Sequence, residues 1–303
     1  MNGTVCIYGK CPRRRRLIEQ ICSPSLYQRQ GRWPGQAIAR VDCSIPSTLT
    51  MSKSSLICAD SLQAMKGLVA RNPSGAFDVI FADPPYFLSN GGSSCRSGKR
   101  VSVNKGRWDK GRSSEDIHQF NLDWLSLCQS LLKDTGSIWV CGTNHNIYSI
   151  GMAMRQIGFR ILNDVIWEKP NPPPNLGCRT LTHSHETIIW ASKGIGTRHF
   201  FNYKEIRKVN AGKQVKTVWR MPAPSPGEKT CGRHPTQKPL ELVIKCLKAS
   251  CPVGGRVLDP FVGSGTTSVA SKILGFNSVG IDRSAAFLGI ARRRLFKARA
   301  GST

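Results

Sequence analysis

One strand in this chain is forced to stop. Phe77-Asp78-Val79-Ile80-Phe81 is apolar and β-prone, and it runs directly into Ala82-Asp83-Pro84-Pro85-Tyr86. Each proline fixes its own φ and holds the residue before it extended. The carbonyls of Asp83 and Pro84 therefore cannot turn back into a helix, and they face outward as fixed acceptors beside a carboxylate and an aromatic ring. Open α/β sheets bind ligands beyond the carboxyl ends of their strands. Acceptors next to a stacking face suit a planar group that carries an exocyclic amine. A rigid turn after a core strand would also use this tetrapeptide, so a second stretch has to decide.

That stretch is Arg256-Val257-Leu258-Asp259-Pro260-Phe261-Val262-Gly263-Ser264-Gly265-Thr266-Thr267, followed by an apolar run from Val269 to Leu274. It predicts a short strand, an acidic tip, a glycine turn and a helix. Glycines admit a close ligand, and a helix N-terminus offers free N–H groups to an anion. Ser278-Val279-Gly280-Ile281-Asp282 is a second strand ending in an acid. Its separation from Asp259 is close to the ~20 residues expected of an acid that holds ribose hydroxyls. Positions 263–268 read Gly-Ser-Gly-Thr-Thr-Ser, without the third glycine of a dinucleotide fingerprint. This favours a cofactor with one nucleoside and no pyrophosphate over NAD.

The intervening pattern alternates. Strands are predicted at 55–59, 136–141, 159–167 and 185–191, and helices after Asp60 through Leu68, at 122–132, 147–157 and 240–247. Strands separated by crossover helices give an α/β fold built on a mostly parallel, doubly wound sheet. Asp60 stands where an N-cap is wanted. The polar stretch 89–120 is read as a flexible loop. It interleaves Lys105, Arg107, Trp108 and Lys110, which together suit phosphates and stacked bases. The pattern fails again over 193–232, a basic block whose Arg207 and Lys208 are expected to bind DNA. Residues 1–50 carry Arg13-Arg14-Arg15-Arg16 and little periodicity, and are read as a basic extension without order.

The formal net charge is +26, from 44 Lys and Arg against 18 Asp and Glu. A surplus this large points to a polyanionic partner and salt-dependent binding. No apolar run of the ~18 residues needed to span a bilayer exists, so nucleic acid is favoured over membrane headgroups. None of the 12 cysteines forms a Cys-x-x-Cys pair, which argues against zinc and for a reducing, cytoplasmic setting.

Asp83-Pro84-Pro85-Tyr86, followed much later by Asp259-Pro260-Phe261-x-Gly263-Ser264-Gly265-Thr266-Thr267, resembles the amino-methyltransferases of DNA. With the catalytic motif before the cofactor motif, the order is that of their β class. Phe87-Leu88-Ser89-Asn90-Gly91-Gly92, Lys169-Pro170-Asn171 and His234-Pro235-Thr236-Gln237-Lys238-Pro239 extend the similarity, which covers roughly residues 54–296 and is greatest toward DpnII-type and MboII-type restriction-system methylases. The resemblance implies a Rossmann-like methyltransferase fold with S-adenosylmethionine as cofactor and DNA as partner. It divides the chain into a catalytic half (51–192), a target-recognition insert (193–232) and a cofactor half (233–303).

The same resemblance implies catalysis by Asp83, Pro84, Pro85 and Tyr86, with Tyr86 covering a flipped base. A phenylalanine at that position is expected to retain much of the activity, since stacking needs no hydroxyl. Cofactor contacts are implied for Asp60, Thr236, Gln237, Lys238, Asp259, Phe261, Gly263, Ser264, Gly265, Thr266, Thr267 and Asp282, with Lys238 and Thr236 meeting the cofactor carboxylate. The target is expected to be the N6 amine of adenine, in a restriction-modification system with a partner endonuclease, and the chain to be a homodimer. N4 methylation of cytosine and a catalytically silent nucleic-acid-binding protein are the competing readings.

Overall fold

A computed structural model describes residues 53–88, 93–96, 99–102 and 113–298. The basic extension and Lys105, Arg107, Trp108 and Lys110 lie outside the described residues. Strand β1 (Ser54–Cys58) and helix α1 (Ser61–Arg71) lead to β2 (Phe77–Ala82). A small antiparallel hairpin follows, β3 (Ser93–Arg96) with β4 (Lys99–Ser102). Then come α2 (Ser114–Leu131), β5 (Leu132–Gly142), α3 (Ile147–Ile157), β6 (Arg160–Glu168) and β7 (His185–Ser192). The last third contains α4 (Tyr203–Lys208), β8 (Val218–Arg220), α5 (Leu240–Ser250), β9 (Arg256–Asp259), α6 (Thr266–Ile273), β10 (Asn277–Asp282) and α7 (Ala285–Lys297).

Eight strands form one sheet in the order β1-β10-β9-β2-β5-β7-β6-β8. All neighbours are parallel except β7, which runs antiparallel to both β5 and β6. This is the mostly parallel α/β sheet that the alternating pattern implies. The cofactor strands β9 and β10, last in sequence, are inserted between the two earliest, β1 and β2. The motif order along the chain thus collapses into one crevice.

Strand β2 is buried along its whole length because both faces are covered. Phe77 and Ile80 pack with Met65, Trp124, Leu125, Ile150 and Met154 of α1, α2 and α3. Val79 and Phe81 face the other way, onto Leu242, Val243, Cys246 and Leu247 of α5. Each such aliphatic side chain contributes roughly 1.5–3 kcal/mol by leaving water. The alternation in β2 and the helical spacing in α5 are one fact seen from two elements.

One expectation changes. The long loop is shorter than the sequence suggests, because α2 starts at Ser114 rather than near Leu122. Ser113 caps it, its hydroxyl accepting from the Asp116 N–H at 3.0 Å, with Glu115 and Asp116 in the first turn favouring the positive end of the helix. Part of the remaining loop is the β3–β4 hairpin. The basic block 193–232 contributes to the main fold. Its β8 extends the main sheet beside β6, and Ile206, Trp219 and Met221 are buried in the core under α5.

Candidate active site

The parallel half of the sheet brings four aspartates to one edge. Asp60 follows β1, Asp282 ends β10, Asp259 ends β9 and Asp83 follows β2. Strand β7 is antiparallel, so its first residues reach that same edge, and Glu186 joins them. β6 runs back parallel to β5, so its carboxyl end delivers Lys169 there as well.

Between β1, β2 and β10 lies a cavity of about 170 Å³. Asp60, Asp83, Tyr86, Phe120, Thr236, Phe261, Gly263, Asp282 and Phe287 are among its walls. Three carboxylates face it against Arg283 and His234, in a chain whose net charge is +26. An acidic, aromatic-walled crevice in a basic protein suits a cationic ligand with a flat ring. A sulfonium nucleoside has both properties.

The walls are rigidly made. Asp60 caps α1, its Oδ1 accepting from the Leu62 and Gln63 N–H groups at 3.0 and 3.2 Å, and it lines the cavity as well. Asp282 accepts from Gly263 N–H at 3.0 Å and Ser284 N–H at 2.7 Å. These bonds tie the glycine loop to the end of β10, while burial raises the Asp282 carboxyl above the usual carboxylate range. Gly263 has φ +48°, and a Cβ there would lie 2.9 Å from His234 Nε2. Gly265 has φ +82°, and a Cβ there would lie 2.6 Å from the Ala291 Cβ of α7. The first glycine opens the loop toward the crevice. The second serves helix packing.

Several residues expected to touch the cofactor are brought to this loop but face inward. Arg294 of α7 is buried and donates to Ser264 O, Ser264 Oγ and Thr266 Oγ1 at 2.9, 3.1 and 2.9 Å. Burial lowers its affinity for its proton, so these three acceptors matter. Gln237 donates to Glu228 O at 3.1 Å and accepts from Ser264 Oγ at 3.3 Å. Asp259 accepts from Phe261 N–H at 2.9 Å and is also bonded by Thr267. Desolvation pushes it up to about 7. Ser264, Thr266, Thr267, Gln237 and Asp259 surround a second, much smaller cavity behind the first.

The catalytic stretch differs from its expected form in one respect. Tyr86 Oη donates to Asp83 Oδ1 at 2.7 Å and lies 3.2 Å from Glu186 Oε2. Lys238 Nζ sits 2.6 Å from Asp83 Oδ2 and 3.4 Å from Glu186 Oε2. Lys169 Nζ holds the other Glu186 oxygen at 2.5 Å. The Lys238 side chain is 5 % exposed, with Asp83 at 16 % and Glu186 at 11 %. Lys238, expected to meet the cofactor carboxylate, has its ammonium between two protein carboxylates. Burial opposes its charge, yet Asp83 and Glu186 raise its pKa above the ordinary lysine value.

Burial likewise opposes the Glu186 charge, but Lys238 and Lys169 bring its pKa down to about 2. Asp83 is raised, by burial first, with Lys238 pulling down and Glu186 pushing up. The residue after Tyr86, Phe87, is held at φ +55°, buried and edge-on to Phe120 at 5.5 Å. Strain of this kind persists only where packing over-determines it.

Glu186 and Arg294 were invisible to motif reading. Glu186 sits in the apolar strand β7, next to His185. Its one signal is that an acid in a buried strand needs a partner. Arg207 and Lys208 lie on α4 and do not line the crevice. Arg207 Nε donates to Gly212 O at 2.7 Å, and Lys208 pairs with Glu205 at 2.6 Å.

A family model described as DNA methylase matches residues 77–293. This chain belongs to the N6/N4 DNA methylase family. It is 52 % identical over 221 residues to the type II methyltransferase M2.DpnII of Streptococcus pneumoniae, covering 73 % of this chain and 82 % of that one. It is 49 % identical over 243 residues to M2.LlaDCHI of Lactococcus lactis subsp. cremoris, covering 80 % and 89 %. Among solved structures, the complex of M1.HpyAVI with S-adenosylmethionine superposes with a TM-score of 0.61 at 26 % identity, covering 80 % of this chain and 98 % of that one. The resemblance read from the two motifs is thereby established at the level of the family, and the doubly wound methyltransferase fold with it. A neighbour solved with S-adenosylmethionine supports that cofactor, and the acidic crevice suits its charge. No helix among the described residues is long and apolar enough to cross a membrane.

Proposed function

We propose that this DNA methyltransferase of the N6/N4 family methylates the N6 amine of adenine, with S-adenosylmethionine as donor, within a restriction-modification system. The observation that carries the reading is the placement of the Asp83 carboxylate and the Tyr86 ring at the mouth of the acidic crevice. When bound, the donor supplies an electrophilic methyl group on a sulfonium. Asp60 and Asp282 would hold its nucleoside end, with Phe261 and Phe287 against the ring.

An exocyclic amine is a weak nucleophile because its lone pair is delocalised into the base. Asp83 and the Pro84 carbonyl accept hydrogen bonds from its two hydrogens, which favours a pyramidal nitrogen. Each carboxylate oxygen has two acceptor sites, so Asp83 can bond the amine while keeping Tyr86 and Lys238. As the new C–N bond forms, the methyl–sulfur bond breaks with its electron pair left on sulfur as a neutral thioether; positive charge passes to nitrogen, and fixed acceptors there stabilise the transition state. The nitrogen then loses a proton, with Asp83 its nearest acceptor. Alignment does the rest. The base has to leave its stack to reach this edge.

An aspartate at position 83 supports adenine over cytosine, since N4-cytosine relatives more often carry serine there. The chain is expected to act in the cytoplasm, beside a cognate endonuclease and as a homodimer.

The test is to methylate DNA in vitro, digest it and resolve the nucleosides by mass spectrometry. N6-methyladenine is expected, whereas N4-methylcytosine would replace this reading. Asp83→Ala is expected to lose about 10²- to 10³-fold in turnover, the scale of removing a group that stabilises transition-state charge, with DNA binding retained. Near-normal methylation by that variant would reject the mechanism.

A further inference from the structure

Asp83 is not the free carboxylate that its motif suggests. Both of its oxygens are engaged, Oδ1 by Tyr86 at 2.7 Å and Oδ2 by Lys238 at 2.6 Å. An ammonium so close would by itself hold the carboxylate at low basicity and compete with any amine. Glu186 changes this. It takes part of the same ammonium at 3.4 Å and lies 3.2 Å from the same tyrosine hydroxyl. Lys169 closes its other oxygen and keeps it charged. Two carboxylates and two ammonium groups therefore balance in a nearly dry cluster. Burying such a cluster gains little stability over apolar packing, so its presence at the sheet edge calls for a use.

We propose that Glu186 is a positioning residue that divides the Lys238 ammonium between two carboxylates and so sets the basicity of Asp83 toward the incoming amine. The inference rests on the reading of Asp83 as the amine acceptor. It goes beyond that reading in assigning a role to a residue of β7 that belongs to neither motif. Among the described residues, the titratable groups that face Asp83 include Tyr86 on its own loop, Lys238 before α5, Glu186 on β7, Cys141 on β5 and Asp259 on β9. The Cys141 thiol is pushed well up by burial and stays neutral. Asp259 is itself raised to about 7, so it adds a second, weaker negative charge only at higher pH.

Glu186 and Lys169 should act with opposite sign. Glu186→Gln removes a negative charge and leaves Lys238 wholly to Asp83, which makes Asp83 lose its proton at lower pH. Lys169→Met frees Glu186 to draw Lys238 away, and Asp83 then holds its proton to higher pH.

The experiment is a titration of the Asp83 carboxyl carbon by NMR, assigned with Asp83→Asn, together with the pH profile of single-turnover methylation at saturating DNA and cofactor. In Glu186→Gln the acid limb and the NMR midpoint are expected to move down by about half a pH unit or more, as loss of a nearby like charge requires. In Lys169→Met both are expected to move up, with the cofactor dissociation constant within about twofold of wild type in each variant. Midpoints unmoved in both variants, or moved in the same direction, would overturn the proposal whatever happens to the rate. Either variant alone decides if the other fails to fold. Shifted NMR midpoints in a protein that methylates nothing would instead sink the functional reading and leave the charge division standing.

Discussion

The two halves of the sheet build the same site by different means. On one side β1, β10, β9 and β2 run parallel, and each ends in or just before an aspartate that faces the crevice or holds its loop. On the other side β5, β7 and β6 carry no aspartate to that edge. Glu186 arrives there because β7 reverses direction, and Lys169 because β6 turns back parallel to β5. The first half shapes a place for a ligand. The second adjusts the charge on the group that meets the substrate. The contrast teaches that binding determinants cluster in contiguous motifs, since one turn must cradle one ligand. Charge balance can come from any strand whose end arrives at the right edge.

Damage to the aspartates that wall the crevice beside β1 and β10, and damage to the groups that face Asp83, should therefore separate into affinity and turnover. Among variants that spare Asp83 itself, the largest effect is expected from Asp282→Ala. It removes a carboxylate from the crevice and deprives Gly263 N–H and Ser284 N–H of their partner, so the glycine loop loses its tether. A lost charged hydrogen-bond acceptor of this kind costs about 2–3 kcal/mol, or roughly a 30- to 150-fold weaker cofactor dissociation constant. Calorimetry measures this directly, and single-turnover rate at saturating cofactor should stay near that of wild type. Loss of rate with affinity intact would erase the distinction between the halves.

How much of this could be read in the sequence follows from the same contrast. Asp83, Tyr86, Gly263 and Asp282 were legible because prolines and glycines enforce local backbone shape, and that shape survives in any tertiary setting. The elements β2, α3 and β10 were legible for a related reason: their apolar periodicity is set by burial on known faces. Helix α2 was misjudged at its start, since its first two turns are polar and only the Ser113 cap announces them. The surroundings of Lys238 were less legible still. A lysine in a cofactor-like motif suggests a cofactor anion, but its ammonium lies between carboxylates 155 and 52 residues away in sequence. No spacing rule encodes a meeting that depends on the reversed direction of β7.

Tyr86→Phe sharpens the comparison with a middle-sized effect. On stacking alone it should be nearly silent. The hydroxyl, however, spans Asp83 and Glu186, joining a motif residue to the opposite half of the sheet. Removing it frees Asp83 Oδ1 to swing and takes one donor from a buried carboxylate, at a cost of about 1–1.5 kcal/mol. Turnover is expected to fall about tenfold, with cofactor affinity unchanged and base flipping intact by 2-aminopurine fluorescence. A variant with wild-type turnover would reduce Tyr86 to its ring and detach Asp83 from the β7 side.

The smallest effect belongs to the outer part of the second half, on α4. Arg207 and Lys208 were expected to bind DNA, but each is already engaged: the guanidinium bonds Gly212 O and lies 5.6 Å from the Tyr203 ring, and the ammonium pairs with Glu205. A lysine whose charge is offset by its neighbour releases few counterions when it meets a phosphate. Full engagement of both side chains would lower the salt slope of DNA binding by about 1.8 on their joint removal, at about 0.9 per phosphate contact. Arg207→Ala with Lys208→Ala is instead expected to lower it by less than about 1, with methylation at low salt unchanged. Fluorescence anisotropy across a salt series gives the slope. A change near 2 would mean that α4 releases Glu205 and Gly212 to grip the backbone. The second half of the sheet would then hold DNA as well as tune Asp83.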